Sequence, residues 1–223
     1  MVTCIAALIN NGTVWMGGDG QATYGGRRML SKELKVFTRH GFLYGVAGTP
    51  RIIQILKYSF NPPEHPARLD ALEYICERWI KEFRVCIEAG GYLHKENGRE
   101  RAFLELLIGY QGRLFHMDGN FSIWEQENGI NVAGSGAEYA LGSLFTTLPV
   151  PEMKPEDKIV LAIQSAACFD IGVGGAITIA SLPVYPPLPP KSMIKTKDIP
   201  VVGNRIVKKK RIIKKKKVNH HMN

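Results

Sequence analysis

The sequence is poor in the features that announce membrane, secreted or metal-binding proteins. No run of about 18 apolar residues occurs, so no transmembrane helix is expected. The amino terminus has no basic n-region followed by an apolar h-region, so no secretory signal is read there. Cysteine is sparse, at 4 in 223 residues, and Cys4, Cys76, Cys86 and Cys168 show no CxxC spacing. Scattered thiols of this kind are expected to be buried and free in a reducing compartment, which points to the cytoplasm. His40, His65, His94 and His116 lie far apart without HxxxH or HxH spacing, which argues against zinc. Gly18-Asp19-Gly20 and Gly134-Ser135-Gly136 complete neither GxGxxG nor a GK[ST] pattern, so nucleotide binding is not expected.

Charge is unevenly spread. The formal net charge is +9, but residues 183–223 hold twelve Lys or Arg against one acid, and residues 1–182 hold seventeen bases against nineteen acids. A near-neutral body therefore carries a basic tail. The tail opens with Pro183-Val184-Tyr185-Pro186-Pro187-Leu188-Pro189-Pro190, a polyproline-like linker, and ends in the block Lys208–Lys217. Such a block is expected to be disordered when alone. It suits weak contact with nucleic acid by counterion release, or contact with an acidic protein surface. The division read from composition is a domain over 1–182 and a tail over 183–223.

What is present is concentrated in the first fifty residues. Two apolar, partly β-branched runs flank Asn10-Asn11-Gly12, a strong short-range hairpin signal. Pairing across that turn sums to about 22 or 23, which sets Thr3 opposite Asp19 or Gly20. A second hairpin is expected across Arg39-His40-Gly41, joining residues 34–38 to 42–47 and setting Lys35 opposite about Gly45. The period then changes. Ile52, Ile53, Leu56 and Phe60 share one helical face, and a longer helix is expected from about Arg68 to Ala89. Strands are expected at 103–110, 113–117, 121–125 and 130–133, helices at 137–146 and 155–169, and a last strand at 176–182. Strands and helix pairs in that order imply an α+β layered sandwich.

Thr3, Asp19 and Lys35 form a set with a chemistry. A threonine hydroxyl needs a base, and a free amine on the same residue can serve, with an ordinary pKa of about 7.7–8.0. A neighbouring ammonium such as Lys35 disfavours protonation of that amine. Asp19 can hold Lys35 charged and oriented. A backbone N–H at Gly48 can stabilise the oxyanion formed on attack. A strand threonine beside an ordinary ion pair is the plainer reading of the same residues.

The order Thr3, Gly18-Asp19-Gly20-Gln21-Ala22-Thr23, Leu34-Lys35-Val36 and Ala47-Gly48 resembles the amino-terminal half of the HslV peptidase, a bacterial relative of the proteasome β subunit. Gly134-Ser135-Gly136, and Asp170 followed by Gly174-Gly175, resemble two later motifs of that family. The resemblance spans residues 3 to about 182. It implies a four-layer αββα sandwich, the Ntn-hydrolase fold, and a threonine-type endopeptidase acting on peptide or unfolded protein.

In that reading Thr3 is nucleophile and base, Lys35 tunes the amine, Asp19 pairs with Lys35 and Gly48 supplies the oxyanion hole. Ser135 and Asp170 support the terminal amine, and residues around Gly45-Val46 line the substrate pocket. The resemblance also implies a homo-oligomeric ring, an ATPase that feeds it, no required cofactor, and room for a structural cation in the loop after Asp170. Three departures stand out: Met1-Val2 ahead of Thr3, Val173 where proteasome subunits usually have serine, and the tail. With Met1 removed Val2 still caps Thr3, so activity requires loss of Val2 as well. The competing implications are a non-catalytic ring or assembly protein that keeps the fold, and an Ntn amidase acting on a small amide.

Overall fold

The computed structural model describes residues 2–184. The rest of the proline-rich linker and the basic tail, with the contacts expected of it, lie outside the described residues.

Two sheets face each other. One has four strands in the order β12-β1-β2-β13, built from Ile130–Ala133, Ile5–Asn10, Thr13–Gly18 and Thr178–Leu182. The other has five in the order β11-β10-β9-β6-β5, built from Ile123–Glu125, Arg113–Met117, Leu104–Tyr110, Phe42–Gly48 and Val36–Arg39. Helices α4 (Ala137–Thr147) and α5 (Pro155–Phe169) cover the four-stranded sheet. The five-stranded sheet is covered by α1 (Pro50–Gln54), which runs on as a π-helical stretch over Ile55–Ser59, and by α2 (Ala71–Tyr74) and α3 (Ile80–Ala89). A second π-helical stretch, Ile75–Trp79, joins α2 to α3. The architecture is the expected αββα sandwich.

Because each sheet is covered on both faces, its strands are apolar on both, and alternate side chains enter different cores. Along β1 and the residue before it, Cys4, Ala6 and Leu8 face α4 and α5, whereas Ile5 and Ala7 face the other sheet. The helical layer on the five-stranded sheet is aromatic. Trp79 packs edge-on to Phe60 at 5.0 Å between ring centroids and donates its indole N–H to Tyr44 at 3.2 Å. Between the sheets Gly45 faces Met16 and Ile5, and a Cβ there would lie 2.4 Å from the Met16 sulfur and 2.6 Å from Ile5.

The hairpin registers confirm one expectation and shift another. In the first hairpin Ile5 pairs with Gly18, a sum of 23, across a turn with positive φ at Asn11 (50°) and Gly12 (76°), the geometry that Asn-Gly favours. In the second, Val36 rather than Lys35 lies opposite Gly45, and the Lys35 carbonyl accepts from Val46 N at 2.9 Å. The one-residue slip arises because His40-Gly41 is a two-residue loop, with φ 50° and 76°, so Arg39 pairs directly with Phe42. The helix expected from Arg68 starts after Asp70, whose carboxylate accepts from Glu73 N while Glu73 accepts from Asp70 N. That reciprocal cap fixes the start more firmly than the apolar period does.

Two short hairpins were not expected: β3 (Gln21–Tyr24) with β4 (Arg27–Leu30), and β7 (His94–Glu96) with β8 (Arg99–Arg101). The cysteines are all free, but only Cys4 is buried; Cys76 and Cys168 are exposed and Cys86 is intermediate. The helical period places Cys76 on the apolar stripe of the helix expected from Arg68, but the residue is exposed, so the expectation of a buried thiol fails there. No helix among the described residues is long and apolar enough to cross a membrane.

Candidate active site

Thr3 stands two residues before β1 and is 3% exposed. Lys35 stands one residue before β5, and Asp19 one residue after β2. The β1–β2 ladder continues one step past its last strand pair, since Asp19 N donates to the Cys4 carbonyl at 3.2 Å. That step carries the Asp19 side chain to the chain's start. Lys35 Nζ then donates to Thr3 Oγ1 and to Asp19 Oδ1, both at 2.8 Å. Three residues from three strand ends are thus joined in series: hydroxyl, ammonium, carboxylate.

Asp19 is 2% exposed, and both of its oxygens are satisfied. Oδ1 also accepts from Cys4 N at 2.9 Å, and Oδ2 accepts from Gln21 N and Gly174 N, each at 3.2 Å. One ammonium and three amide donors meet the hydrogen-bonding need of this buried carboxylate. Burial pushes the Lys35 pKa below its usual value, and the charge and hydrogen bond of Asp19 oppose that. The Cys4 thiol is pushed up to about 12, first by burial and then by the Asp19 charge, so it stays protonated and inert.

The second wall is the bend after β12. Ser135 Oγ accepts from Thr3 N at 3.2 Å, and Gly136 N donates to the Thr3 carbonyl at 3.2 Å. Gly134 has φ +95°, and a Cβ there would lie 2.3 Å from the Thr3 carbonyl oxygen. Only glycine permits both that conformation and that approach. Ser135 therefore lies against the Thr3 nitrogen.

Asp170 does not reach Thr3 by any hydrogen bond among the described residues. It caps α5, and its Oδ1 accepts from Gly172 N at 2.8 Å. Its Oδ2 is buried without a partner. Val2 occupies the neighbouring space: a Cβ on Gly172 would lie 2.1 Å from Val2 Cγ1 and 3.0 Å from Asp170 Oδ1. The Thr3 nitrogen is an amide here, and the Thr3 hydroxyl donates to the Val2 carbonyl.

Gly48 and Thr3 line one cavity of about 520 Å³. Its walls include Gln21, Ala22, Glu33, Val46, Thr49, Ile53 and Phe103. Val46 lines it as expected, but Gly45 does not, because alternation along β6 turns that residue into the core between the sheets. Glu33 forms an ion pair with Lys57, whose ammonium also lies 4.8 Å above the Phe37 ring centre.

Sequence reasoning missed two contributors. Gly174 N reaches Asp19 from 155 residues away. Glu105 Oε2 accepts from Gly134 N at 2.7 Å and so holds the bend behind Thr3. Gly174 falls in the glycine motif after Asp170, but its bond to Asp19 depends on β13 pairing beside β2, and the Glu105 bond depends on how the two sheets are brought together.

The loop after Asp170, where the resemblance leaves room for a structural cation, is tied to its neighbours through its carbonyls. The carbonyls of Asp170, Ile171 and Gly174 already accept from Val173 N, Gln21 Nε2 and Gly20 N. Among the described residues, no group of three or more His, Cys, Asp or Glu side chains is placed to hold a metal.

No family model matches the chain. The ATP-dependent protease subunit HslV of Brevibacillus brevis is 26% identical over 146 residues, which are 63% of this chain and 74% of that protein. Among solved structures, BPH of Thiobacillus denitrificans in complex with epoxomicin superposes with a TM-score of 0.70 at 19% identity, over 82% of this chain and 99% of that one. The eukaryotic HslV of Trypanosoma brucei gives a TM-score of 0.58 at 20% identity, over 81% and 99% of the two chains. The chain has the HslV and proteasome β-subunit type of Ntn-hydrolase fold.

Proposed function

We propose that the chain is a threonine-type endopeptidase of the HslV and proteasome kind, with Thr3 as nucleophile once Met1 and Val2 are removed. The observation that carries this reading is the series Thr3 Oγ1, Lys35 Nζ and Asp19 Oδ1 at 2.8 Å steps, with Thr3 and Lys35 on the wall of the 520 Å³ cavity. With Val2 gone, the Thr3 amine takes the proton of its own hydroxyl as Oγ1 attacks the carbonyl carbon of a peptide bond. Charge gathers on the carbonyl oxygen, which the Gly48 N–H and the nearby Lys35 ammonium stabilise. The amine returns the proton to the leaving nitrogen, which leaves an ester on Thr3. Water, activated by the same amine, hydrolyses that ester and restores the hydroxyl. Lys35 remains protonated throughout, and its charge keeps the amine neutral enough to act.

By the same likeness, the chain works as a homo-oligomeric ring fed with unfolded protein by an ATPase, and the free state of its four cysteines fits the cytoplasm. Thr3→Ala is expected to abolish hydrolysis of fluorogenic peptides and labelling by threonine-directed electrophiles. Activity that survives this substitution would place the nucleophile elsewhere. Light scattering that returns a monomer mass would remove the ring.

One observation favours a second reading. Val2 is packed into place beside Gly172, and its carbonyl holds the Thr3 hydroxyl. A chain that keeps Val2 is a non-catalytic assembly protein with the same fold. Intact mass of the purified chain separates the two: loss of residues 1–2 supports the peptidase, and Val2 on every molecule supports the alternative. An amidase for small amides is told apart by profiling substrates of increasing length.

A further inference from the structure

We propose that Glu105 is a positioning residue for Thr3, a clamp that sets the nucleophile's sheet against the sheet carrying Gly48. The inference rests on the peptidase reading for its catalytic consequence, but not for its geometry.

The site is split between the two sheets. Thr3 precedes β1 and the Gly134–Gly136 bend follows β12, whereas Gly48 ends β6. The space between the sheets is filled by Ile5, Ala7, Met16, Leu43, Leu107 and their neighbours. Dispersion between such side chains is non-directional and does not fix the offset of one sheet on the other to a fraction of an ångström. Glu105 is two residues before Leu107 on β9, so it faces the same way and stands at the site end of that apolar row.

A carboxylate in this position requires a donor. No Lys or Arg among the described residues forms an ion pair with it. Its neighbour His116 instead meets Asn131 Oδ1 at 3.2 Å. The donor for Glu105 is the backbone N–H of Gly134 at 2.7 Å, a short, charge-assisted bond that runs from one sheet to the other.

Both ends of that bond adjoin the reacting groups. On its own sheet Glu105 pairs with Ala47, and the next pair is Gly48 with Leu104. Across the gap, Gly134 presses on the Thr3 carbonyl, while Ser135 and Gly136 hold the Thr3 nitrogen and carbonyl. Glu105 thus fixes the distance from Thr3 Oγ1 to the oxyanion donor without touching substrate. A displacement of about 1 Å there is enough to cost up to about a hundredfold in rate.

The test uses the full chain with Glu105→Leu and Glu105→Gln, and Leu114→Ala as a control that loosens the same inter-sheet core away from the site. Hydrogen exchange of the Gly134 and Gly136 amides is measured beside kcat and KM on a fluorogenic peptide. Glu105→Leu is expected to speed that exchange about tenfold or more, and to lower kcat by at least about tenfold with KM within about twofold. Glu105→Gln keeps an acceptor and should retain most of both. Leu114→Ala should lower the melting temperature and leave kcat near its starting value. A folded Glu105→Leu variant with unchanged exchange or unchanged kcat overturns the proposal, as does a Glu105→Gln variant as impaired as the leucine form. If the exchange responds as expected but the parent shows no Thr3-dependent hydrolysis, the peptidase reading fails and the clamp stands.

Discussion

Asp19 and Asp170 both lie close enough to the Cys4 thiol for their charges to act on it, yet they are built differently. Asp19 is completed by four donors: Lys35 Nζ and the backbone amides of Cys4, Gln21 and Gly174. Three of those donors, on Lys35, Cys4 and Gly174, come from segments that meet only in the folded sandwich, so the carboxylate is both product and fastener of the fold. Asp170 is half finished. One oxygen is bound by Gly172 N two residues away, and the other is buried without a partner. An unpaired buried acceptor costs roughly 1–3 kcal/mol, which a donor arriving there would recover. The fixed part of the site is therefore Thr3, Lys35 and Asp19. The conditional part is the turn after α5, where Val2 fills the neighbouring slot.

The contrast breaks most sharply under substitution. Asp19→Ala strands a buried ammonium at Lys35 and should cost about 3–5 kcal/mol of stability, read by urea unfolding, and abolish any Thr3-dependent hydrolysis. Asp170→Ala in the chain that keeps Val2 removes one oxygen without a partner and one bound only by Gly172 N, opposing effects that should change stability by less than about 1 kcal/mol. Equal losses would mean the two carboxylates are equivalent. A middle-sized effect lies in alkali. The Cys4 thiol, ordinarily near 9.0, is held at about 12, so the folded state keeps a proton that the unfolded state loses. That contribution is fully present below pH 9 and declines as pH rises towards 12, at up to about 1.4 kcal/mol per pH unit. Cys4→Ala should flatten this slope when unfolding is compared across that range, and a slope unchanged by the substitution would show that Cys4 is not its source. The smallest effect is Asp170→Asn. It should leave the Val2-bearing chain unaltered and lower kcat/KM about tenfold after trimming, with a shifted pH profile. An identical outcome in both forms would remove the conditional role.

Local chemistry made the near half of the site legible. Asn11-Gly12 set the first register to one residue, and that register brought Asp19 to Thr3. The same kind of signal stood unread at Gly25-Gly26 and Asn97-Gly98, the turns of the two hairpins that were missed. Their strands are short and mostly exposed, so apolar alternation did not mark them. Gly45 was assigned to the pocket because a sequence does not say which face of β6 looks outward. The contacts of Gly174 with Asp19 and of Glu105 with Gly134 were out of reach for another reason. Each is made when β13 or β9 takes its place in a sheet, and strand order is decided by pairings distant in sequence. The π-helical stretches in the helices over the aromatic core had no sequence signal that we can identify.

Gly45 touches no reacting group, yet Ile5 and Met16 have taken the room its side chain would have used. Its cross-strand partner is Val36, the residue after Lys35, and Ile5 follows Thr3 by two. The closeness of nucleophile and ammonium is therefore inherited from a hydrogen atom in the interior. Added bulk at that point would act like a shim, prising apart two strand ends whose side chains it never meets. Damage of this kind would register as lost chemistry in a protein whose active-site residues were all intact.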